Sequence, residues 1–425
     1  MASASANSPS SKPEASKPAF TTSTSAVATA PVLLRLRNFQ WYWNSSADPW
    51  SSSTGGSKQP DDAWKKYTDV ENEIIEDAYN LKKVDVELDG NYIINFKHQV
   101  QYNKSDKTRQ RQIKRAELAT DRSNVHLREE RFSLPITVAN TTNNSTEAST
   151  TTADSETEEE RLLQYLRRHG DLSKNYRQLE LRCKGKTYAD VVGDAASGIL
   201  AEGIKLGKVK EAQWLAKQLL DVKQFGEDKL LDLYDDVDIP QPIGETCVYL
   251  YTKESFWYKH LNSVLRNYPT MTLEQVKTLG PFCFILFNYI HHKSSVGEFT
   301  VYRGLTVTDE ERQQFLKTGA NIIFTSFTST SRSRKLAERF GNTLLIFNLD
   351  VKNIYGYEKV KIGMDVSSLS DFPNEEEFTV WAGAAFHLWG YEYDNEAKKH
   401  VIYLSAAPYQ QGQAVQRQFP IAEQP

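Results

Sequence analysis

The chain is poor in cysteine. Cys183, Cys247 and Cys283 stand far apart in 425 residues, an odd number with neither the density of a disulfide scaffold nor a metal-ligand spacing. They read as buried or free thiols, and no metal is expected. Long apolar runs are missing too. The nearest candidate, Pro281 to Ile290, is too short to span a bilayer and fits a buried helix. The opening residues lack a charged start followed by an apolar core, so no signal peptide is expected, and the sequons at Asn140, Asn143 and Asn144 count as linker composition. The expectation is an intracellular chain, cytoplasmic or nuclear, with no membrane partner. Charge of one sign is also lacking. With 51 Lys and Arg against 55 Asp and Glu the net charge is -4, which argues against a general nucleic-acid coat, and no direct nucleic-acid partner is expected.

What is present suffices for real cores: 39% hydrophobic and 11% aromatic residues over a length that suits two or three units. Residues 1–31 are Ser, Ala, Thr, Pro and Lys with little to bury, which predicts a disordered tail. A second polar tract, from Ala139 to Glu160, is rich in Thr, Asn, Ser and Glu and separates two segments with aromatic and aliphatic periodicity. The expected organisation is a module at 32–130, a flexible linker at 131–159, a larger module at 160–408 and a second disordered tail at 409–425.

In the first module Phe39 to Trp43 and Trp64 to Tyr67 read as strands. Glu71 to Asn80 has helical spacing, with Ile74, Ile75, Ala78 and Tyr79 as inward positions, and Val84 to Leu88, a turn at Asp89-Gly90 and Tyr92 to Phe96 read as a hairpin. The second module opens with helical patterns at Glu158 to Arg168, Tyr188 to Leu206, Lys210 to Leu220 and Phe256 to Asn267. Its β-prone runs are Tyr249 to Tyr251, Thr300 to Tyr302, Asn321 to Phe324, Thr343 to Asn348, Glu377 to Trp381 and Val401 to Leu404. Helices first and strands later predict an α+β domain with a helical lobe on a sheet core, behind a small α+β unit.

Three short signals in the second module carry chemistry. Glu375, Glu376 and Glu377 precede an apolar β-prone run. On a strand edge Glu375 and Glu377 share one face and Glu376 takes the other, so two acids can divide one reaction. Alone, the triplet equally fits a solvated edge. Arg303 ends the run Thr300-Val301-Tyr302 immediately before Gly304, where a glycine allows close backbone approach. Its planar donors suit a phosphate or dinucleotide, and a surface arginine beside a turn is the plain alternative. Thr325 to Ser331 is saturated with hydroxyls that can hold another side chain or a ribose, although the β-propensity of threonine also explains it.

In order and content these signals resemble the arginine-type ADP-ribosyltransferase family, whose signature is an arginine on one strand, Ser-Thr-Ser on a second and Glu-x-Glu on a third. Here those are Arg303, Ser329-Thr330-Ser331 and Glu375-Glu376-Glu377. The resemblance spans residues 160 to 408 and implies a split-sheet NAD-binding fold with NAD as co-substrate. It implies that Glu377 stabilises the oxocarbenium-like ribose left when nicotinamide departs, and that Glu375 orients and deprotonates an acceptor guanidinium. Arg303 with Gly304 would bind the NAD phosphate and ribose, and Ser329 would hold Glu377 and the ribose in place. The loop Ser367 to Asn374 would recognise the acceptor, with Phe372 either contacting it or anchoring the loop. The His-Tyr-Glu pattern of polymer-forming relatives is not visible, because Arg303 stands at the histidine position. Extracellular members carry a signal peptide and paired cysteines, and neither is expected here.

Trp41-Tyr42-Trp43, Trp64-Lys65-Lys66-Tyr67, Glu76, Tyr79, Tyr92, Gln99-Val100-Gln101 and the closing Arg109 to Arg115 resemble a WWE domain, named for two tryptophans and a glutamate: Trp41 or Trp43, Trp64 and Glu76. The resemblance implies that Tyr67, Tyr92, Gln101 and Arg111 contact iso-ADP-ribose within poly(ADP-ribose), while the tryptophans pack. Other WWE domains serve as protein contacts. The combined expectation is an enzyme that transfers ADP-ribose from NAD to arginine side chains of protein acceptors and carries a reader of ADP-ribose polymer. The alternatives are a non-catalytic interaction protein and an NAD glycohydrolase.

Overall fold

The computed structural model describes residues 37–46, 63–118, 128, 131–132, 138–140, 157, 160–164, 172–181, 185–227, 231, 238–294, 299–317, 322–350 and 361–407. Both expected tails, most of the expected linker and Cys183 lie outside these residues. The first module runs through β1 (Phe39–Asn44), β2 (Trp64–Lys66), α1 (Asp69–Asn80), β3 (Asp85–Leu88), β4 (Tyr92–Asn95), β5 (Val100–Asn103) and β6 (Gln110–Glu117). Its sheet has the order β2-β1-β6-β5-β4-β3. Gly90 and Asn91 take φ of 77° and 65°, which closes the β3–β4 hairpin. Thr68 starts α1 with a capping box, accepting from the Glu71 N–H while the Glu71 carboxylate accepts from the Thr68 N–H.

Ile75 is buried with Trp41, Tyr67, Leu88, Ile94 and Ile113. Tyr79, expected inward, is half-exposed. Its ring meets Trp41 and Phe96 at its edge, with centroids at 5.4 and 5.7 Å. Glu76 ties the module together: it accepts from Trp41 Nε1 at 2.8 Å and pairs with Arg115 at 2.6 Å.

The second module has a helical lobe of α2 (Leu172–Tyr176), α3 (Tyr188–Lys205), α4 (Val209–Leu220), α5 (Gln241–Thr252), α6 (Phe256–Arg266) and α7 (Leu273–His292). Capping boxes at Thr187 and Thr272 start α3 and α7. The two helices pack so closely that a Cβ on Gly198 would fall 1.8 Å from the Thr278 carbonyl oxygen. Tyr249 to Tyr251, expected as a strand, lies inside α5. Every residue from Thr246 to Thr252 is buried, so the run carries no polar face by which its period could be read. Among the described residues no helix is long and apolar enough to cross a membrane.

The sheet of this module contains β7 (Val138–Asn140), β8 (Thr300–Leu305), β9 (Ile322–Phe324), β10 (Thr328–Ser331), β11 (Thr343–Asn348), β12 (Gly363–Asp365), β13 (Glu377–Val380), β14 (Ala384–Asp394) and β15 (Lys399–Ala406). Two short helices, α8 (Asp309–Lys317) and α9 (Arg334–Ala337), interrupt it. The order is β12-β13-β10-β8-β11-β15-β14-β9-β7. β10 follows β13 over four pairs but meets β8 at one, Ser331 opposite Tyr302, so the sheet splits into two leaves there. The fold class is α+β, as expected.

The modules are not merely tethered. Residues 31–425 form one compact unit, and Val138–Asn140, in the tract expected to be linker, pairs with β9 as an edge strand. Val70 of α1 is buried in the core of the second module. Lys208, the N-cap residue of α4, makes no side-chain cap, and Asp89 of the first module accepts instead from the N–H groups of Lys210 and Glu211 at 2.8 and 3.0 Å. Trp214 Nε1 donates to Asp77 at 3.0 Å. α1 thus contributes to both cores, with Ile75 in that of the first module and Val70 in that of the second. Asp89→Ala should therefore lower the unfolding free energy of the whole chain by about 1 kcal/mol, measured by urea titration. An unchanged midpoint would mean that the first module does not support α4.

Candidate active site

β8 carries Arg303, buried and opposite Leu345 of β11, with Nη1 donating to the Ser329 carbonyl on β10. Burial is the largest influence on its guanidinium. Tyr258 and Tyr251 favour the charge and Arg131 and Arg266 oppose it, and the pKa is lowered to about 10. Gly304 does permit a close backbone approach, but by the chain itself: a Cβ there would fall 2.0 Å from the Ala337 carbonyl oxygen of α9.

The two acids reach the cleft by a route different from the expected one. Glu377 begins β13, whereas Glu375 ends a 3-10 turn at Pro373–Glu375, and Glu376 between them is left-handed at φ 46°. Strand alternation therefore does not align Glu375 with Glu377. The left-handed residue turns the chain so that both flanking acids are buried while Glu376 is exposed. The turn is held by the Arg332 N–H donating to the Glu376 carbonyl at 3.0 Å and the Ser331 hydroxyl donating to the Glu375 carbonyl at 2.7 Å. In the β10–β13 ladder Ser329 pairs with Thr379 and Ser331 with Glu377, so the two serines share a face with the Glu377 carboxylate.

Both carboxylates hold guanidinium groups that sequence reasoning missed. Arg131 donates from Nε to both Glu377 oxygens at 3.0 Å and from Nη2 to Oε1 at 2.8 Å. Its Nη1 donates to the Tyr251 carbonyl at 2.9 Å. Arg128 grips Glu375 through its backbone N–H at 3.0 Å and through Nε and Nη2. It also lies 3.8 Å from Asp69 and 3.6 Å from Glu377. The spacing Arg-Glu-Glu-Arg was visible, but nothing local in it points to acids about 250 positions later.

Burial alone would raise the Glu377 carboxyl. Arg131 and Arg128 more than offset it, with hydrogen bonding from Ser329, and hold it below the ordinary carboxylate range. Phe372, in the loop before the acids, has the Arg128 guanidinium 4.1 Å from its ring centroid. Next to it Asp371 pairs at 2.5 Å with Lys253, which also reaches Glu73 of α1 at 3.2 Å. The loop and α1 thus share Lys253, which follows α5.

In the first module Tyr67 is buried, and its hydroxyl donates to Gln101 Oε1 at 2.7 Å. Gln101 pairs across the sheet with Arg111, whose guanidinium donates to the Ser46 carbonyl. Ile94 also pairs with Gln101, so Tyr92, two residues before Ile94 and partly exposed, lies on the same face. Trp41 is buried and packs. Cys247 and Cys283 are buried. Among the described residues no group of His, Cys, Asp and Glu is arranged to hold a metal.

Residues 39–115 match the family model of the WWE domain, and residues 244–409 match that of NAD:arginine ADP-ribosyltransferase. No curated protein matches the chain. Among solved structures, the eucaryotic mono-ADP-ribosyltransferase ART2.2 is similar over 53% of this chain and 89% of its own, at 18% identity and a TM-score of 0.34. ADP-ribosyltransferase HopU1 of Pseudomonas syringae pv. Tomato DC3000 is similar over 39% and 77%, at 20% identity and 0.33. C3stau2 from S. aureus, solved with NAD, is similar over 39% and 87%, at 16% identity and 0.31.

The buried charges set an acid dependence. Burial would raise Asp69, but Arg37, Arg128 and Lys253 lower it to about 2 from 3.8. A lowered folded-state value means that the unfolded chain binds the proton first. The stabilisation is then complete above 3.8 and is lost as pH falls toward 2. Glu377 shifts in the same direction. Urea midpoints should fall as the pH is lowered through this range, and Asp69→Asn should flatten the fall; an equal slope in both proteins would show that Asp69 is not responsible.

Proposed function

Because the chain joins a WWE domain to an NAD:arginine ADP-ribosyltransferase domain, we propose that it transfers ADP-ribose from NAD to arginine side chains of proteins and uses the WWE domain to find ADP-ribose polymer. The observation that carries the arginine acceptor is that Glu375 already binds a guanidinium bidentately, that of Arg128. An arginine acceptor stays protonated in water and is a poor nucleophile until a carboxylate orients it and takes a proton.

In this reading the bond between nicotinamide and ribose breaks with its electron pair leaving on nicotinamide. Glu377 stabilises the sugar cation through the ribose 2′-hydroxyl, with Ser329 holding the carboxylate. The acceptor nitrogen then attacks the anomeric carbon as its proton passes to Glu375. Arg303 suits the NAD phosphates: with Arg131 and Arg266 near it and its pKa held at about 10 by burial, an anion there is favoured. Phe372 offers a face to the acceptor guanidinium, as it now does to Arg128. Tyr67, Tyr92, Gln101 and Arg111 are the residues assigned to iso-ADP-ribose, with ring faces for adenine and a planar cation for phosphate.

Labelled NAD supplied with agmatine, a small guanidine, tests the transferase. Glu377→Gln should cut incorporation by about a hundredfold or more. Glu375→Gln should abolish agmatine labelling while sparing much of the NAD hydrolysis. Hydrolysis without labelling in the unmodified protein would indicate a glycohydrolase, and no NAD consumption above Glu377→Gln a non-catalytic interaction protein. For the reader, calorimetry of the full chain with iso-ADP-ribose should lose about tenfold in affinity on Arg111→Ala. No binding to the unmodified protein would refute it.

A further inference from the structure

We propose that Arg128 and Arg131 act as a pseudosubstrate in cis: the chain's own guanidinium groups occupy both acids of the transferase and hold it closed until they are withdrawn. The proposal rests on the roles given above to Glu375 and Glu377.

Arg131 is buried and engages both Glu377 oxygens with two nitrogens. Its own carbonyl accepts from Arg303 Nη1 at 3.5 Å. One residue therefore touches both the carboxylate assigned to the ribose hydroxyl and the arginine assigned to the phosphates. A carboxylate has about four acceptor positions. Glu377 spends three contacts on Arg131 and another on the Thr379 hydroxyl at 3.3 Å, and Ser329 hydrogen-bonds it as well. A ribose hydroxyl and Arg131 must compete for the same atoms.

Arg128 repeats the pattern at the acceptor side. It presents Nε and Nη2 to Glu375 with its guanidinium over Phe372, the contacts proposed for a protein arginine. Both guanidinium groups are anchored from outside the cleft. Asp69 of α1 pairs with Arg37 at 2.5 Å and attracts Arg128, and the ring of Phe132, next to Arg131, stacks on Phe340 with centroids 5.8 Å apart and planes 1° from parallel. The residues around the cleft thus bind two arginines as ligands, and a tethered ligand competes at a high effective concentration.

The full chain and its Arg128→Ala/Arg131→Ala variant are compared for NAD affinity by calorimetry and for NAD hydrolysis. The variant should bind NAD about tenfold more tightly or better and hydrolyse it correspondingly faster at low NAD. A peptide covering residues 125–134 should inhibit the variant competitively with NAD, and the same peptide with both arginines replaced by alanine should not. Equal affinity and equal rates in the two proteins overturn the proposal. If the variant fails to fold, judged by near-UV circular dichroism, Asp69→Asn decides, since it loosens Arg128 at the acceptor side while leaving both cations in place: its KM for agmatine should fall, and an unchanged KM overturns the proposal. Tighter NAD binding without any cleavage would support the pseudosubstrate and refute the transferase reading, whereas equal cleavage in both proteins refutes the pseudosubstrate alone.

Discussion

Two carboxylates withdrawn from water are the constraint around which the structure is organised. Glu375 and Glu377 are 2% and 0% exposed, and a buried charge left without a partner is destabilising by about 3–5 kcal/mol. Arg128 and Arg131 answer them, and those arginines must be answered in turn. Asp69 attracts Arg128, the Tyr251 carbonyl receives Arg131, and the rings of Tyr251 and Tyr258 lie 5.0 and 4.7 Å from the Arg131 guanidinium. Because Asp69 stands at the start of α1, the charge chain crosses from the second module into the first. Its Oδ2 also accepts from the Glu254 N–H at 2.8 Å, just beyond α5.

The remaining contacts between the modules follow the same line. Lys253 lies between Glu73 of α1 and Asp371 of the loop before the acids, and its pKa is held well above the ordinary value because those carboxylates outweigh its burial. Asp89 caps α4 and Asp77 receives Trp214. The first module therefore sits against α4, the end of α5 and the loop before the two acids. Any movement of α1 would be felt at Asp69 and Glu73, hence at Arg128, Lys253 and Asp371.

The candidate site lies at the split between the leaves. β10 is bound to β13 along its length but to β8 only at Ser331, which leaves the hydroxyl-rich face of β10 between Arg303 and Glu377. Thr330, on the opposite face, donates to the Phe378 carbonyl at 2.7 Å and ties the strand to the core. Glu376 has the one left-handed backbone in this acidic run, a conformation that costs about 1–2 kcal/mol for a residue with a Cβ. Backbone and hydroxyl hydrogen bonds from Arg332 and Ser331 offset it.

Much was legible because it is local. The β-prone runs at Phe39 to Trp43 and Thr343 to Asn348 and the turn at Asp89-Gly90 each depend on neighbours in the chain. Tyr249 to Tyr251 was not legible, since a helix buried on all sides has lost the polar face that would betray its period. Arg303, the Ser329 run and the Glu375–Glu377 triplet stood out as residue types able to carry chemistry, but their assignment, like that of the aromatic and amide set of the first module, came from resemblance to known families. The sequence by itself determined the α+β class, the two-module order and the chemistry these side chains can offer. Only the tertiary structure decided that Glu376 turns left-handed, that Gly304 makes room for α9, that α1 is shared between the modules and that Arg128 and Arg131 close on the two acids. Those outcomes depend on burial and on charges brought together across about 250 residues of chain, and the cost of an unpaired buried carboxylate has no signature in local sequence.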